Sequence, residues 1–532
     1  MLIELENRIK KILREKFPES QGIQSLSISL PPPHIKGNYS IAWPMSAAKH
    51  LKKSPLEIAG EAALLIKDDS ISDCEAVPPG FVNFTVKDEF CFREILSLNE
   101  KQQKYFCLSP FTGAVNLEFV SANPTGPLHL ASGRAAAIGD SLARILEFVG
   151  CKVSREYYVN DAGRQVEILG LSLKARFEGK EPPENGYRGE YLLKMAKNLP
   201  RKDCSRWGNK DFSEFAISKI IKMHKTDLAA FGVEFDNWFL ESELHKKSWL
   251  KKTLEKIKRK KLIYEKDGAL WFGSGAKGRG DKDRVLVKSD GRNTYFLSDI
   301  AYHLNKSSRG FKHIIDIWGA DHHGYVPRMK AALGALIPEI DFRIIIHQLV
   351  LLKKESEKVK MSKREGRFIS LKELVEEVGK DAGRFFFVMR SPNSHLNFDI
   401  GLARKKSNEN PVYYVQYVHA RICSIFSKAR LDGAKMVRPA EVELSDEEKR
   451  LAVKVLWFEK ILQTCIEDLS PHHLTSYLVE LAGLFHSFYD TCRVLDPQNP
   501  EKTYIRMKLI EGVRFAIKSG LGLLGVSAPE KM

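Results

Sequence analysis

The spacing of apolar residues changes along the chain, and each change predicts a different kind of element. Leu2, Leu5 and Ile9 follow a helical period, with charged residues between them, so the chain is predicted to begin with an amphipathic helix. Residues 78–86 (PPGFVNFTV) contain apolar residues at the spacing of a strand. Residues 1–108 are therefore predicted to form a small α/β module.

From about residue 113 the pattern becomes an alternation of strand, loop and helix. Val115, Leu117 and Phe119 alternate as on a strand, and the apolar residues that follow keep a helical period until Gly150. The same order returns near residue 313 after a polar, lysine-rich stretch. Strands that alternate with helices favour a parallel sheet wound as in a Rossmann fold.

We therefore predict a Rossmann-type domain over residues 109–400, with an insertion at about 172–285. After residue 400 strand patterns fade, and two long segments, NPVYYVQYVHARICSIFSKAR and HHLTSYLVELAGLFHSFYDTCRVL, keep helical spacing. Residues 401–532 are predicted to be an all-α domain. The predicted class is α/β: a Rossmann-type parallel-sheet domain with an N-terminal α/β appendage and an all-α C-terminal domain.

Composition adds a candidate partner. The chain has 532 residues, which is too long for one core, and its net charge is +17. Because the basic residues are spread along the sequence, an extended anionic partner such as nucleic acid is favoured, and a merely solvated basic surface stays open as the alternative.

Cysteine spacing and hydropathy indicate the cellular compartment in which the protein is expected. None of the eight cysteines forms a CxxC pair, which argues against a zinc site or a disulfide framework and fits a reducing cytoplasm. The start of the chain does not read as a signal peptide, and no apolar run approaches the roughly 18 residues of a membrane span. A cytoplasmic protein without a membrane partner is expected.

One candidate for chemistry is His129, which the pattern places at the start of a helix, after a loop rich in proline and glycine. An imidazole there can donate a hydrogen bond to a phosphate that the helix N-terminus also favours. A cap or a packed ring is the alternative. Arg134, one turn further on, strengthens the reading as a phosphate site.

A second candidate is the loop KMSKR, which contains Lys360, Lys363 and Arg364. Cations on a loop between a strand and a helix can follow the β- and γ-phosphates of ATP and stabilise pyrophosphate as it leaves. An ordinary solvated loop is the alternative. Together with His129 in one parallel-sheet pattern, the loop predicts a pocket that holds a nucleoside triphosphate at both ends.

These segments resemble those of the class I aminoacyl-tRNA synthetases, and among them the bacterial arginyl-tRNA synthetases. HLAS (His129–Ser132) stands where that family has HxGH, and KMSK (Lys360–Lys363) stands where it has KMSKS. The resemblance runs along the whole chain, and four further segments are specific to the arginine enzymes: EFVSANPTGPLH, EYYVNDAG, WGADHHGYVPRM and MSKREGRFISL.

The resemblance implies a two-step reaction. The arginine carboxylate would attack the α-phosphorus of ATP, and tRNA would then accept the arginyl group from the adenylate on its terminal 2′-hydroxyl. Mg²⁺ would arrive with ATP, the protein would hold no metal site of its own, and bound tRNA would be needed for the first step. A monomer is expected. A class I synthetase for another amino acid and a catalytically weak RNA-binding relative are the alternatives.

The resemblance also implies the site residues. Those expected in catalysis are His129, Ser132, Lys360 and Lys363. Those expected to bind ATP are Pro127, His129, Ala131, Ser132, Gly319, Asp321, His322, Met361, Ser362 and Lys363. Those expected to bind arginine are Glu118, Ser121, Asn123, Tyr295, Asp299 and His322. In the helical domain, Tyr413, Gln416, Tyr417 and Arg421 are expected to contact tRNA, although helical aromatic residues more often belong to a core.

Side-chain chemistry bears on two features of the implied site, its acidic residues and its departures from the family signature. A guanidinium needs planar carboxylate acceptors, which Glu118 and Asp299 can supply, although Asp299 can also be read as a helix N-cap. Ala131 and Ser132 replace the glycine and second histidine of the family. A methyl group at residue 131 would crowd adenine, and serine cannot carry charge, so weaker ATP binding or slower adenylate formation is expected.

Overall fold

The computed structural model describes most of the chain. The described residues are 2–20, 26–32, 34–106, 108, 110–200, 204, 206–273, 283–354, 357–359 and 369–532. Within them, no helix combines the length and apolarity that crossing a membrane requires.

The N-terminal module is an antiparallel sheet covered by helices. Its strands are β1 (Ile28–Ser29), β2 (Tyr39–Ile41), β3 (Ile71–Val77) and β4 (Phe81–Val86), in the order β1-β2-β4-β3. Its helices are α1 (Leu2–Lys16), α2 (Trp43–Leu51), α3 (Pro55–Leu65) and α4 (Asp88–Lys101). The first helix and the strand within residues 78–86 agree with the predictions, and the apolar residues Leu2, Leu5 and Ile9 are fully buried.

The central sheet is parallel throughout, as the alternating pattern predicts. Its strands are β5 (Ala114–Glu118), β6 (Lys152–Val159), β7 (Asn237–Leu240), β11 (His313–Gly319) and β12 (Asp341–His347). They lie in the order β12-β11-β5-β6-β7, so β5 is central, and the chain leaves it at the middle of the carboxyl edge. In open parallel sheets this edge is where ligands bind.

Helix α5 (Leu130–Phe148) follows β5 and packs closely against its end. A Cβ atom at Gly139 would lie 2.2 Å from Cγ of Phe119, so only glycine permits this approach of helix and strand. Helices α11 (Tyr295–Ser308) and α12 (Val326–Leu336) flank β11, and a short 3₁₀ helix (Ala320–Tyr325) occupies the turn between β11 and α12. The order β5-α5-β6 and β11-α12-β12 is the predicted Rossmann-type order.

The interval predicted as an insertion, about 172–285, does not lie wholly outside the central sheet. It contains β7, which pairs in parallel with β6 and forms the edge of the central sheet. Only four residues form this strand, which is too short a pattern to stand out in the sequence. Before it come α6 (Arg164–Phe177), α7 (Glu190–Lys197) and α8 (Asn209–Ala230), which share a small apolar core of their own.

After β7 a second group of elements lies outside the central sheet. It consists of α9 (Ser242–Lys246), α10 (Trp249–Arg259) and the antiparallel strands β8 (Ile263–Lys266), β9 (Ala269–Phe272) and β10 (Arg284–Val287). These pack with α11 and α12 in a second core. A further small sheet joins β13 (Val350–Lys354), β14 (Glu357–Val359) and β15 (Leu396–Asp399), with α13 (Leu371–Val378), α14 (Lys380–Val388) and α15 (Ile400–Arg404) around it.

The described residues beyond 400 are helical, as predicted. The long helices are α16 (Pro411–Leu431), α17 (Asp446–Leu456), α18 (Phe458–Glu467), α19 (His472–Thr491) and α20 (Pro500–Leu523). The N-terminal module docks on them: Lys460 Nζ forms a buried ion pair with Glu6 at 2.8 Å, and the ring of Phe106 stacks on that of Phe515. One apolar core therefore runs from the N-terminal module through the central sheet to these helices.

Candidate active site

A cleft of about 2030 Å³ opens at the carboxyl edge of the central sheet. It lies between the start of α5, the turn after β11 and the end of β12. Many of the predicted ligand-binding residues line it: Ser121, Asn123, Pro127, His129, Ala131, Ser132, Gly319, Asp321 and His322. The structure thus brings the signature segment His129–Ser132 and the turn at residues 319–322, both predicted to bind ATP, into one cavity.

His129 is the N-cap of α5. Its Nδ1 accepts a hydrogen bond from the backbone N–H of Ser132 at 3.3 Å, and the Ser132 hydroxyl lies 3.5 Å from the same nitrogen. The capping alternative is therefore realised, and the ring still lines the cleft. A cap at this position fixes the imidazole at the helix N-terminus, where an anion is favoured.

Residues 360–368, and with them Lys360, Met361, Ser362, Lys363 and Arg364, lie outside the described residues. The chain on the far side of this segment meets the signature directly. Ser370 forms an antiparallel bridge with His129, and the backbone N–H of Leu371 donates to the carbonyl of Leu128 at 2.8 Å. Ser370 and Leu371 therefore lie beside the start of α5.

The turn after β11 forms the opposite wall of the cleft. A Cβ atom at Gly319 would lie 2.6 Å from Oδ1 of Asp321, a contact that the exposed Asp321 side chain can relieve by moving. Asp321 and His322 are exposed, and His322 Nε2 lies 3.5 Å from Asp321 Oδ2. These groups are available to a ligand in the cleft.

Arg134 does not act as the sequence suggested. Its guanidinium is fully buried and donates to three backbone carbonyls, those of Gln348, Ser391 and Ser394, at 2.8 to 2.9 Å. Burial lowers the pKa of Arg134 to about 10. Helical spacing placed this side chain near the start of α5, but the neighbouring chain covers it, so its role is to join α5 to the loops around 348 and 391–394.

Behind the cleft lies a group of paired charges. Lys306 Nζ, which is fully buried, donates to Glu118 at 2.6 Å and to Asp316 at 2.8 Å. Asp316 also bonds to His303 Nε2 at 2.8 Å. Burial alone would raise the pKa of Asp316, but the charge of Lys306 lowers it to about 2. Glu118, predicted to bind arginine, is thus already neutralised by Lys306, and its other oxygen accepts the Ser121 hydroxyl at 2.8 Å.

Glu156, at the middle of the sheet, is paired in the same way. The Arg309 guanidinium donates two hydrogen bonds to its carboxylate, of 2.6 and 2.7 Å, and the Tyr302 hydroxyl donates a third of 2.6 Å. Burial raises the pKa of Glu156, but the bonds to Arg309 outweigh this and bring it to about 2. Bidentate pairing of this kind keeps a buried carboxylate ionised.

Asp299 has a different environment. It is the fifth residue of α11, whose N-cap is Thr294, so the N-cap reading of Asp299 is wrong. Its carboxylate accepts the Tyr325 hydroxyl at 2.5 Å, and within the described part of the chain it has no ion-pair partner. Burial raises its pKa to about 6. Tyr295, four residues earlier and therefore on the same helical face, is 68% exposed.

A second carboxylate of this kind, Glu241, was missed in the sequence. It follows β7 directly and is 6% exposed. It accepts from the Asn160 amide at 2.8 Å and lies within hydrogen-bonding reach of the Tyr158 hydroxyl. Burial and the neighbouring carboxylate of Asp299 raise its pKa to about 7. An edge strand of four residues gives no signal that would have pointed to the residue after it.

The residues predicted to contact tRNA all lie on α16. The rings of Tyr413 and Tyr417 are half-buried, and that of Tyr417 stacks on His486 with 6.1 Å between centroids. Arg421 is exposed and lies over the ring of Tyr489. Gln416 is buried, and its amide donates to Asp381 and to the Ser527 carbonyl, so the structure places it at the junction with the sheet domain.

Among the residues that the structure describes, no three histidine, cysteine or acidic side chains are grouped as metal ligands. The described cysteines are free thiols, and burial raises the pKa of several, including Cys91 and Cys465, to about 12. They are not poised as nucleophiles.

Three family models match successive parts of the chain. Residues 4–86 match the arginyl tRNA synthetase N terminal domain, residues 94–388 match the catalytic domain of the class I (R) tRNA synthetases, and residues 415–532 match the DALR anticodon binding domain.

Individual relatives match the sequence of this chain over its full length. The arginine–tRNA ligase of Elusimicrobium minutum is 52% identical over 100% of both chains, and that of Bacillus subtilis is 42% identical over 99% of this chain and 98% of its own. The solved structure of Thermus thermophilus arginyl-tRNA synthetase superposes with a TM-score of 0.81 over 100% of both chains at 23% identity, which shows the shared fold.

Proposed function

The chain belongs to the class I arginyl-tRNA synthetases and ligates arginine to tRNA, and from that premise we propose how its residues divide the work. The signature segment and the turn after β11 hold ATP, and the acidic side chains near α11 hold the arginine side chain. The arginine carboxylate attacks the α-phosphorus, pyrophosphate leaves, and the arginyl group passes from the adenylate to a terminal ribose hydroxyl of tRNA.

The observation that carries this proposal is the single cleft that His129, Ser132, Gly319, Asp321 and His322 share. His129, fixed as the cap of α5, donates to a phosphate, while Asp321 and His322 face the ribose. We assign Lys360 and Lys363, which lie outside the described residues, to the leaving pyrophosphate on the family resemblance. Acting on a developing charge, these groups lower the barrier chiefly by alignment and electrostatic stabilisation.

Arginine recognition follows from the charges. Asp299 and Glu241 are carboxylates without an internal cation among the described residues, so a guanidinium is the partner that completes them. Tyr295, on the same face as Asp299, covers the guanidinium, and Ser121, Asn123 and His322 lie at the amino-acid end. Glu118 contributes through Ser121 and the Lys306 pair rather than as an unoccupied acceptor.

The other domains would bind tRNA. The matched DALR domain supports anticodon binding by residues 401–532, with Tyr413, Tyr417 and Arg421 as base contacts. Residues 1–108 would form a second tRNA-contacting domain, and residues 109–400 the catalytic one. We further propose that the enzyme is a cytoplasmic monomer that takes ATP as its Mg²⁺ complex.

The direct test is tRNA charging with labelled arginine, together with arginine-dependent ATP–pyrophosphate exchange in the presence of tRNA. We expect charging with arginine and rejection of lysine, whose ammonium cannot make the bidentate contact. Charging with another amino acid would support the first alternative reading. Tight tRNA binding without charging of any amino acid would support a catalytically weak RNA-binding relative.

The departures at Ala131 and Ser132 can be tested separately in the same exchange assay. Ala131→Gly removes the methyl group that would crowd the adenine, and Ser132→His restores an imidazole at the helix start. We expect the KM for ATP to fall or the exchange rate to rise with either change. If neither parameter moves, the residues at 131 and 132 are not limiting, and that reading is discarded.

A further inference from the structure

The loop between β5 and α5 has a strained backbone. Val120 has a φ of 69° and Ser121 a φ of 37°, in the region that a non-glycine residue rarely adopts. For the β-branched Val120 this conformation is especially unfavourable. Such strain persists only where the surroundings hold the chain in place.

Tyr157, on β6, holds Ala122 with its hydroxyl group. The hydroxyl accepts the Ala122 N–H at 3.1 Å and donates to the Ala122 carbonyl at 3.0 Å. The ring is fully buried and stacks on Trp238, from β7, with centroids 4.2 Å apart and 17° between planes. The edge of the sheet therefore sets the position of this hydroxyl group.

His224, on α8, holds the other end of the loop. Its Nε2 lies 2.7 Å from the Gly126 carbonyl and, since a carbonyl only accepts, this nitrogen carries the proton and donates. Its Nδ1 then accepts and lies 3.1 Å from the Tyr157 hydroxyl, whose single proton is shared between this nitrogen and the Ala122 carbonyl. The side chain is 1% exposed, so both bonds form in a nearly dry environment.

The remaining residues of the loop are held by the same group of helices. Tyr191, on α7, donates to the Thr125 carbonyl at 2.6 Å. Gln165, on α6, accepts from the Asn123 amide at 3.0 Å. Each of the helices α6, α7 and α8 thus supplies one side chain to a short loop that belongs to the central sheet.

We propose that Tyr157 and His224 are positioning residues for adenylate formation. They hold residues 120–126 so that Asn123 and His129 meet the amino acid and ATP in the reactive orientation, and α6–α8 therefore complete the active site. This inference rests on the ligand contacts proposed above for Asn123 and His129. Neither Tyr157 nor His224 is assigned a contact with substrate.

Substitutions at residue 224 can separate the contact made by Nε2 of His224 with Gly126 from the contact made by Nδ1 with Tyr157. The nitrogen of a glutamine side chain can occupy the place of Nε2 and donate to Gly126, whereas that of asparagine reaches only the place of Nδ1. We therefore compare His224→Gln, His224→Asn and His224→Leu with Tyr157→Phe, which keeps the ring stack and removes the hydroxyl. Thr226→Ala, at an exposed position on the same helix, is the matched control.

The readout is pre-steady-state adenylate formation with tRNA present, per active site counted by titration. We expect His224→Leu, His224→Asn and Tyr157→Phe to lower the rate by about tenfold to 100-fold, as small misplacements of reacting groups do. The KM values for ATP and arginine should change by less than about threefold, since the lost contacts act on orientation rather than on uniform binding. His224→Gln should recover most of the rate, and Thr226→Ala should match the wild type.

Two results would overturn the proposal. One is a rate per active site within twofold of wild type in Tyr157→Phe and His224→Leu. The other is an equal loss in His224→Gln and His224→Leu, accompanied by a lower melting temperature and a smaller titratable fraction, which would assign a structural role only. Because wild-type charging is measured in the same preparation, either result is distinct from a failure of the enzyme to use arginine.

Discussion

Two groups of acidic side chains lie beside the central sheet and satisfy their charge in opposite ways. Asp316 and Glu156 are paired with Lys306 and Arg309, and the pKa values of both fall to about 2. Among the residues that the structure describes, the hydrogen-bond donors to Asp299 and Glu241 are neutral, and the pKa values of these two acids rise to about 6 and about 7. Each acid of the first group has a basic partner, whereas neither acid of the second group has one in the described part of the chain, which is why we propose that a guanidinium completes it.

The difference shows that burial of an acid does not by itself identify a binding site. Buried carboxylates with internal cations organise the fold, because the attraction offsets the loss of hydration. Buried carboxylates without them keep a proton near neutral pH and exchange it for a charged ligand. For a family that ligates arginine, the second group is where specificity for the side chain is expected.

The largest effect is expected from breaking the first group. Lys306→Met leaves Glu118 and Asp316 buried beside each other without their shared cation. Removing one partner of a buried pair costs about 3–5 kcal/mol, so the free energy of unfolding should fall by that amount. Urea denaturation measures it. A loss below about 1 kcal/mol would mean that the pair is not important for stability.

Removing a charge from the second group, that of Asp299 and Glu241, should lower activity rather than stability. Asp299→Asn keeps the shape and the bond from Tyr325 but removes the charge that we propose faces the guanidinium. We expect kcat/KM for arginine to fall by about 100-fold or more, the range for losing one member of a desolvated charge pair. The melting temperature should stay level or rise. A large loss of stability with normal kinetics would place Asp299 in the first group.

The pH dependence of arginine use distinguishes the two groups without mutation. The guanidinium binds ionised carboxylates, so protonation of acids with pKa values near 6 and 7 should raise the KM for arginine as pH falls. We expect about a tenfold increase from pH 8 to pH 6. Because these pKa values are raised on folding, the empty enzyme should also lose stability as pH rises from about 4 to 7. A flat KM would contradict the assignment.

The smallest effect is expected for Glu241→Gln. This variant tests whether Glu241 contributes to arginine binding in addition to Asp299. The amide keeps the hydrogen-bonding geometry and removes one negative charge beside Asp299. We expect kcat/KM for arginine at pH 8 to fall by about fivefold to tenfold, within the 1–1.5 kcal/mol range of a single hydrogen bond. The upper step of the pH profile should disappear as well. An unchanged profile would exclude Glu241 from arginine binding.

Several elements could be predicted because their signals are local. The period of Leu2, Leu5 and Ile9 and the strand–helix order from residue 113 onward reflect burial of one face, which depends on spacing alone. The position of His129 at a helix start follows from the same pattern. Together with the lysine-rich loop it also predicted a site for a nucleoside triphosphate, whereas the assignment of Glu118 and Asp299 to arginine came from the family resemblance.

Other features could not be read locally. Arg134 shares a helix start with His129, yet its guanidinium reaches carbonyls more than 200 residues away in sequence. The strand Asn237–Leu240 is too short for its pattern to be distinguished, so Glu241 was not recognised. In both cases the partner that decides the role is distant in the chain.

The sequence by itself determined the succession of elements, the separation of an α/β region from a helical one, and the family. Only the tertiary structure decided which of the described acids have a basic partner and which do not. The physical reason is that periodicity encodes which face of an element is buried, whereas the state of a charge depends on neighbours that folding brings from remote positions. Glu118 and Asp299 are both acids of the predicted site and burial raises the pKa of both, but Lys306 pairs with Glu118, whereas Asp299 has no ion-pair partner among the described residues.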